Sequence, residues 1–402
     1  MSLSRIRRTA GVIALQAFLV LGLSEVGVRV LARFDENLRQ LSFNPRLTGS
    51  LNEVRTPAGL LASTRPGLRP FDDVSGFGTN SLGLRARELT GGGGAETTVV
   101  ALGDSFTFAG KTAFRHHWPE LFEAKVRERG RTGVEVVNLG YPAVGPRFEL
   151  RMWQLVGRRL EPDLVIQAFY VGNDFLDGLG STPLAAEPWE VVLERSALFR
   201  VVRNLYRYKR EERHLLAALG SRKVLEAAHR SGGFELEGWQ GEDRSHLPTF
   251  GPRLFDKIVA ESMEVSLKEH NHRLEAAFSR CAEILLETRR DVESTGARYL
   301  LMILPAEFQI DRGVARAGAA SEKRRLGEYE IGWPQQRFAV FCRNHDLDCL
   351  DLLPAFRRRA RRTVLFRKRD THWNRQGHAL AVDQLLAWLD RSAAEPDGFS
   401  FD

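Results

Sequence analysis

Five short apolar runs punctuate the chain: Val99–Leu102, Val134–Leu139, Leu164–Tyr170, Tyr299–Leu304 and Cys349–Leu352. Each is nearly continuous in apolar character, the pattern of strands buried on both faces. The stretches between them carry helical periodicity and are long enough for parallel crossovers. The pattern predicts an α/β chain, a three-layer αβα sandwich around a five-stranded, mainly parallel sheet. The interval 176–295 is too long for a single crossover. Helical patterns at Trp189–Leu215, Lys223–His229 and Phe255–Val292 predict a helical insertion there, either a lid or substrate-side subdomain or a packing embellishment, with the crossover helix to the fourth strand at its end.

The N-terminus changes the picture. Arg5, Arg7 and Arg8 precede Ala10–Val28, where Gln16, Ser24 and Glu25 are the strongly polar residues. As a helix this stretch would span roughly 28 Å at about 1.5 Å per residue, close to the hydrocarbon thickness of a bilayer. The basic flank would stay cytoplasmic, which places the rest of the chain outside. Residues 1–31 are expected to be an uncleaved anchor, with a signal peptide cut near Val30-Leu31-Ala32 as the alternative. Both export the remainder to the outer side of the cytoplasmic membrane. Residues 32–96, punctuated by proline and glycine and closing on Gly91–Gly94, predict a linker and lead-in, 97–392 the main domain, and 393–402 a tail.

The net charge of +7 allows an anionic neighbour. Its densest run contains Arg357, Arg358, Arg359, Arg361 and Arg362, either a solvated basic face or a contact for an anionic glycan or lipid. Neither a recognition-helix pattern nor an RNA-binding aromatic motif accompanies these residues, so nucleic acid is not an expected partner. Three cysteines are too few for a disulfide scaffold or a self-sufficient metal site. In an exported domain Cys342 and Cys349 could pair.

Four segments fall at carboxyl ends of predicted strands: Gly103–Phe106 (GDSF), Asn138–Gly145 (NLGYPAVG), Tyr170–Asp174 (YVGND) and Asp370–His378 (DTHWNRQGH). In a parallel sheet these ends share one edge, where ligands bind. Acyl transfer needs a nucleophile, a base, a group that fixes the tautomer of the base, and donors for the developing oxyanion. Ser105 is the candidate nucleophile, His372 the base and Asp370 its orienting acid. Asn173 and the backbone N–H groups of Ser105 and of the loop after Asn138 are candidate oxyanion donors. Each segment alone also reads as an ordinary turn or, for Asn374, a helix cap. The Gly-x-Ser-x-Gly elbow is absent around Ser105, and so are P-loop, dinucleotide and His-Glu-x-x-His motifs. Neither cofactor nor metal is therefore expected.

Together these segments resemble the blocks of the SGNH, or GDSL-type, hydrolase superfamily, and the lead-in TNSLGLR resembles that of its membrane-anchored exported subgroup. The resemblance implies a flavodoxin-like sheet, a Ser105–His372–Asp370 triad, and an oxyanion and substrate-binding set drawn from Ser105, Asp104, Gly140, Ala143 and Asn173. Ala143 stands where the second block usually has glycine, and Gly172 is shifted relative to Gly-x-Asn-Asp. The Asp-x-His spacing is similar to that of exported polysaccharide O-acetylation proteins, in which that pair precedes the serine. The expected activity is a serine esterase acting on an O-acyl, chiefly O-acetyl, ester of an envelope or extracellular carbohydrate or lipid. An O-acetyltransferase using the same residues is the alternative, and a catalytically silent glycan-binding protein of this fold is a third reading.

Overall fold

In the computed structural model, residues 16, 19–31, 34, 84–86, 95–109, 112–142, 144–177, 196, 198–199, 201–202, 245–269, 272–394 and 399 are described. The chain divides into two compact units, Met1–Arg65 with Ala185–Glu235, and Pro66–Leu184 with Leu236–Asp402. In the first unit, residues 19–31 are helical, and Glu25 accepts hydrogen bonds from Ser196 Oγ (2.8 Å) and Leu198 N (2.9 Å). The expected span Ala10–Val28 lies only partly within the described residues. Among those residues no helix is long and apolar enough to cross a membrane, so the anchor expectation finds no support there. The helical patterns at Trp189–Leu215 and Lys223–His229 lie almost wholly outside the described residues, as does most of 32–96.

The second unit is built in the order β1 (Thr97–Gly103), α1 (Ser105–Phe108), α2 (Trp118–Glu128), β2 (Val134–Asn138), α3 (Pro146–Leu155), β3 (Leu164–Tyr170) and α4 (Asp174–Asp177). It continues with α5 (Pro252–Met263), α6 (His272–Glu293), β4 (Arg298–Leu304), α7 (Arg312–Ser321), α8 (Trp333–Asn344), β5 (Cys349–Asp351), α9 (Leu353–Ala360) and α10 (Arg375–Ser392). The five strands form one all-parallel sheet in the order β2-β1-β3-β4-β5, the predicted α/β architecture. Every residue of β3 is buried, which accounts for its unbroken apolar run. Its one polar residue, Gln167, donates to Glu149 (2.5 Å) and accepts from the Tyr299 hydroxyl (2.5 Å), so the polar group is satisfied inside the core. Helices α2 and α10 pack together, as do α3 and α6.

Local signals start the helices. Proline occupies the first turn of α2, α3, α5, α8 and α9, where its missing N–H costs no helical hydrogen bond. Asn374 caps α10, its side chain accepting from Gln376 N and Gly377 N, so its capping reading is correct. Cys342, near the end of α8, is disulfide-bonded to Cys349 at the start of β5. Because β1 lies between β2 and β3, the chain reverses direction of winding at β1, and the carboxyl ends of β1 and β3 open the crevice expected of such sheets.

Candidate active site

Strand β1 ends at Gly103 with φ +153°, and a Cβ there would collide with the Thr107 side chain. A glycine is needed to turn the chain straight from strand into α1. Asp104 caps this helix, Oδ1 accepting from Phe106 N at 2.8 Å, while Oδ2 lies 3.4 Å from Ser105 Oγ. Ser105 thus stands at the first helical position, half-buried at the sheet edge.

The last block closes over it. His372 Nε2 lies 2.8 Å from Ser105 Oγ, and Nδ1 lies 2.6 Å from Asp370 Oδ1. The same carboxylate oxygen accepts from the His372 backbone N at 3.1 Å. These contacts put the proton on Nδ1 and turn the Nε2 lone pair to the serine hydroxyl. Asp370 is fully buried, and its second oxygen accepts from Thr249 Oγ1 at 2.7 Å with Arg367 Nε 3.8 Å away. A buried carboxyl group held on both oxygens cannot rotate away from the imidazole. Phe106 stacks on the His372 ring, with centroids 5.1 Å apart, and fixes its plane from the side.

A cleft of about 490 Å³ opens beside this pair, lined by Ser105, Phe106, Pro142, Tyr170, Asn173 and His372 together with Asp104, Gly172 and Thr371. Helix α5 supplies the remaining lining through Ile258, Glu261 and Ser262. One face of α5, which lies within the interval 176–295, therefore borders the candidate site. Asp174 fixes the turn after β3 by accepting from Tyr170 N at 2.7 Å. Gly172 lies so near the Tyr170 ring that a Cβ would approach it to 2.5 Å, which explains a glycine immediately before Asn173. Burial, reinforced by the carboxylates of Asp104, Glu307, Asp174 and Asp370, holds the Tyr170 hydroxyl well above its ordinary pKa and therefore neutral. Burial also raises Glu307 to about 8, with help from Asp311 and Asp370.

Two expected members carry structural contacts of their own. Gly140 donates its N–H to Asn138 Oδ1 at 2.9 Å and does not line the cleft. Its glycine character serves a close approach, since a Cβ would lie 2.5 Å from Phe108 N. Asp104 lines the cleft, and its Oδ1 also caps α1. Ala143 lies outside the described residues. Thr249 and the α5 residues escaped the sequence reading, because nothing local marks a loop threonine or one helix turn as facing a site. Among the described residues no cluster of histidine, cysteine, aspartate or glutamate is suited to hold a metal.

Residues 264–399 match the family model described as ALGX, the SGNH hydrolase-like domain of the acetyltransferase AlgX. The match covers less than half of the chain and includes β4, β5, Asp370 and His372, but not Ser105. No curated protein matches. Among solved structures the chain is similar to the acetyl xylan esterase AlAXEase, at 14% identity over 72% of this chain and 98% of that one, with a TM-score of 0.37. It is similar to a member of the lipolytic protein G-D-S-L family from Veillonella parvula at 11% identity over 73% and 99%, with a TM-score of 0.36. A catalytic mutant of the acetylxylan esterase Axe2 from Geobacillus stearothermophilus shares 11% identity over 77% and 97%, with a TM-score of 0.36. The family-model match supports the expected SGNH likeness over the C-terminal stretch 264–399.

Proposed function

We propose that the chain is a serine esterase acting on O-acyl, chiefly O-acetyl, esters of carbohydrate through an acyl-Ser105 intermediate. The observation that carries this reading is the continuous pair of hydrogen bonds from Ser105 Oγ through His372 to Asp370 at the mouth of a cleft. Ser105 Oγ attacks the ester carbonyl while His372 Nε2 takes its proton. His372 then returns the proton to the leaving alcohol, and water repeats the sequence to release the acid. The Ser105 backbone N–H and the Asn173 side-chain amide are assigned as oxyanion donors.

One observation favours a second reading, O-acetyl transfer to a sugar hydroxyl. The matching family model is described as an acetyltransferase and spans both Asp370 and His372. Water and a sugar hydroxyl compete for the same acyl-serine, so the chemistry up to that intermediate is common to both.

The same reading places the domain on the outer side of the cytoplasmic membrane, supported by the Cys342–Cys349 bond, which persists in oxidising compartments. Arg358, Arg359, Arg361 and Arg362 are exposed around the end of α9 and are assigned to an anionic glycan or lipid surface. Arg357 donates to the Gln309 carbonyl at 3.0 Å.

The test is fluorophosphonate labelling with peptide mapping, followed by incubation with an acetylated donor and candidate glycans. Label on Ser105 with release of free acetate supports the esterase, and acetylated sugar supports the transferase. A folded protein that takes no label at Ser105 and retains glycans in a salt-sensitive manner overturns both in favour of a silent binder.

A further inference from the structure

Arg85 comes from the lead-in ahead of β1, yet it is buried within the same unit as the candidate site. Its Nη1 donates to the carbonyl oxygens of Phe108 (2.8 Å) and Ala109 (3.0 Å), and its Nη2 donates to that of Thr112 (2.8 Å). The first two carbonyls close the four-residue helix whose opening residue is Ser105. Ala109 follows in a left-handed conformation, φ 50° and ψ 39°, which a side chain resists and which persists where surrounding groups impose it. In the same helix, the Thr107 carbonyl accepts from Asn138 Nδ2 at 2.9 Å.

The connection continues to the other half of the pair. Thr112 Oγ1 lies 3.3 Å from Nε2 of His378, a fully buried residue on α10. His378 packs edge-on to Trp373, the neighbour of His372, and Trp373 packs edge-on to Phe106, the neighbour of Ser105. Burial lowers Arg85 to about 10, which leaves it cationic at neutral pH, and lowers His378 to about 3, which leaves it neutral.

We propose that Arg85 is a positioning residue, clamping the helix end behind Ser105 and, through Thr112 and His378, setting its distance from His372. The inference rests on the acyl-transfer reading of Ser105. It makes the lead-in a working part of the site.

The experiment compares the full chain with Arg85→Ala and Arg85→Lys. Turnover of an aryl acetate is expressed per fluorophosphonate-titratable Ser105, so that misfolded molecules drop out of the count. Arg85→Ala is expected to lose about 10- to 100-fold in kcat per labelled site, the scale of a misplaced reacting group, while KM moves by less than about twofold. Added guanidinium should restore part of the loss. Arg85→Lys should remain impaired, because an ammonium does not span three carbonyls. Parental turnover per labelled site in both variants would overturn the proposal. If Arg85→Ala does not fold, Arg85→Lys and Thr112→Val are read by the same criterion. If the parent neither labels nor turns over, the acyl-transfer reading fails by itself. The positioning claim is then judged from the downfield His372 Nδ1 proton resonance, whose shift or broadening in Arg85→Lys supports it and whose constancy defeats it.

Discussion

Thr249 Oγ1 donates a 2.7 Å hydrogen bond to Asp370 Oδ2, across 121 positions of sequence. The oxygen not used by His372 is thereby held by a residue from the segment that leads into α5. Replacing this threonine by valine keeps the shape and removes the donor. Thr249→Val is expected to lower kcat for an aryl acetate by about tenfold, one charge-assisted hydrogen bond being worth about 1.5–3 kcal/mol of which orientation receives a part. The check is steady-state kinetics alongside a melting curve. An unchanged kcat would show that Asp370 needs no support on its second oxygen.

Asn173 lines the cleft with its backbone fixed by the neighbouring Tyr170–Asp174 contact. If its amide stabilises the oxyanion, Asn173→Ala loses on the order of 10² to 10³ in kcat with KM little altered. Asn173→Asp should lose as much, since the replacement brings negative charge to the place where charge develops. A loss confined to KM would assign the residue to substrate binding.

Glu307 has its carboxyl raised to about 8 in the folded chain, from an ordinary value of 4.5, chiefly by burial. Below the ordinary value both folded and unfolded states are protonated and the residue is neutral in its effect. As pH rises toward 8 the unfolded chain ionises while the folded chain resists, so stability falls. Glu307→Gln removes this penalty. The variant should gain on the parent progressively between the two values, by an amount on the order of a few kcal/mol, and urea unfolding at a series of pH values measures it. A stability difference independent of pH would show that the group ionises freely.

The Cys342–Cys349 bond closes a loop with a sequence separation of 7 between α8 and β5. For so short a loop the chain-entropy model gives about 2–3 kcal/mol. Cys342→Ser combined with Cys349→Ser is expected to lower the urea midpoint accordingly and leave kcat unchanged, because neither residue lines the cleft. Peptide mapping that finds both thiols free in secreted protein would remove the bond from the argument.

The sheet was legible because its strands are buried on both faces, so apolar runs such as Leu164–Tyr170 carry no competing polar pattern. The convergence of Ser105 and Asn173 followed from the rule that parallel strands share an edge, whereas Asp370 and His372, expected at the end of the fifth strand, lie beyond α9 in the loop before α10 and reach Ser105 from there. Gly140 shows where such reading stops. A glycine required for close backbone approach looks in sequence like a glycine offering an N–H to ligand, and the Asn138 contact alone separates them. Thr249, Arg85 and His378 were illegible for a different reason: each acts through a partner distant in the chain, and no local periodicity records such a pairing.

The wall formed by Ile258, Glu261 and Ser262 belongs to a segment inserted between β3 and β4, whereas the reacting residues come from the end of β1 and the loop before α10. Exchange of that segment is a route to new substrate preference with the bond-breaking apparatus left in place. Thr249 qualifies the freedom: a transplanted segment that omits a hydroxyl at this point would change selectivity and weaken the acid in one stroke.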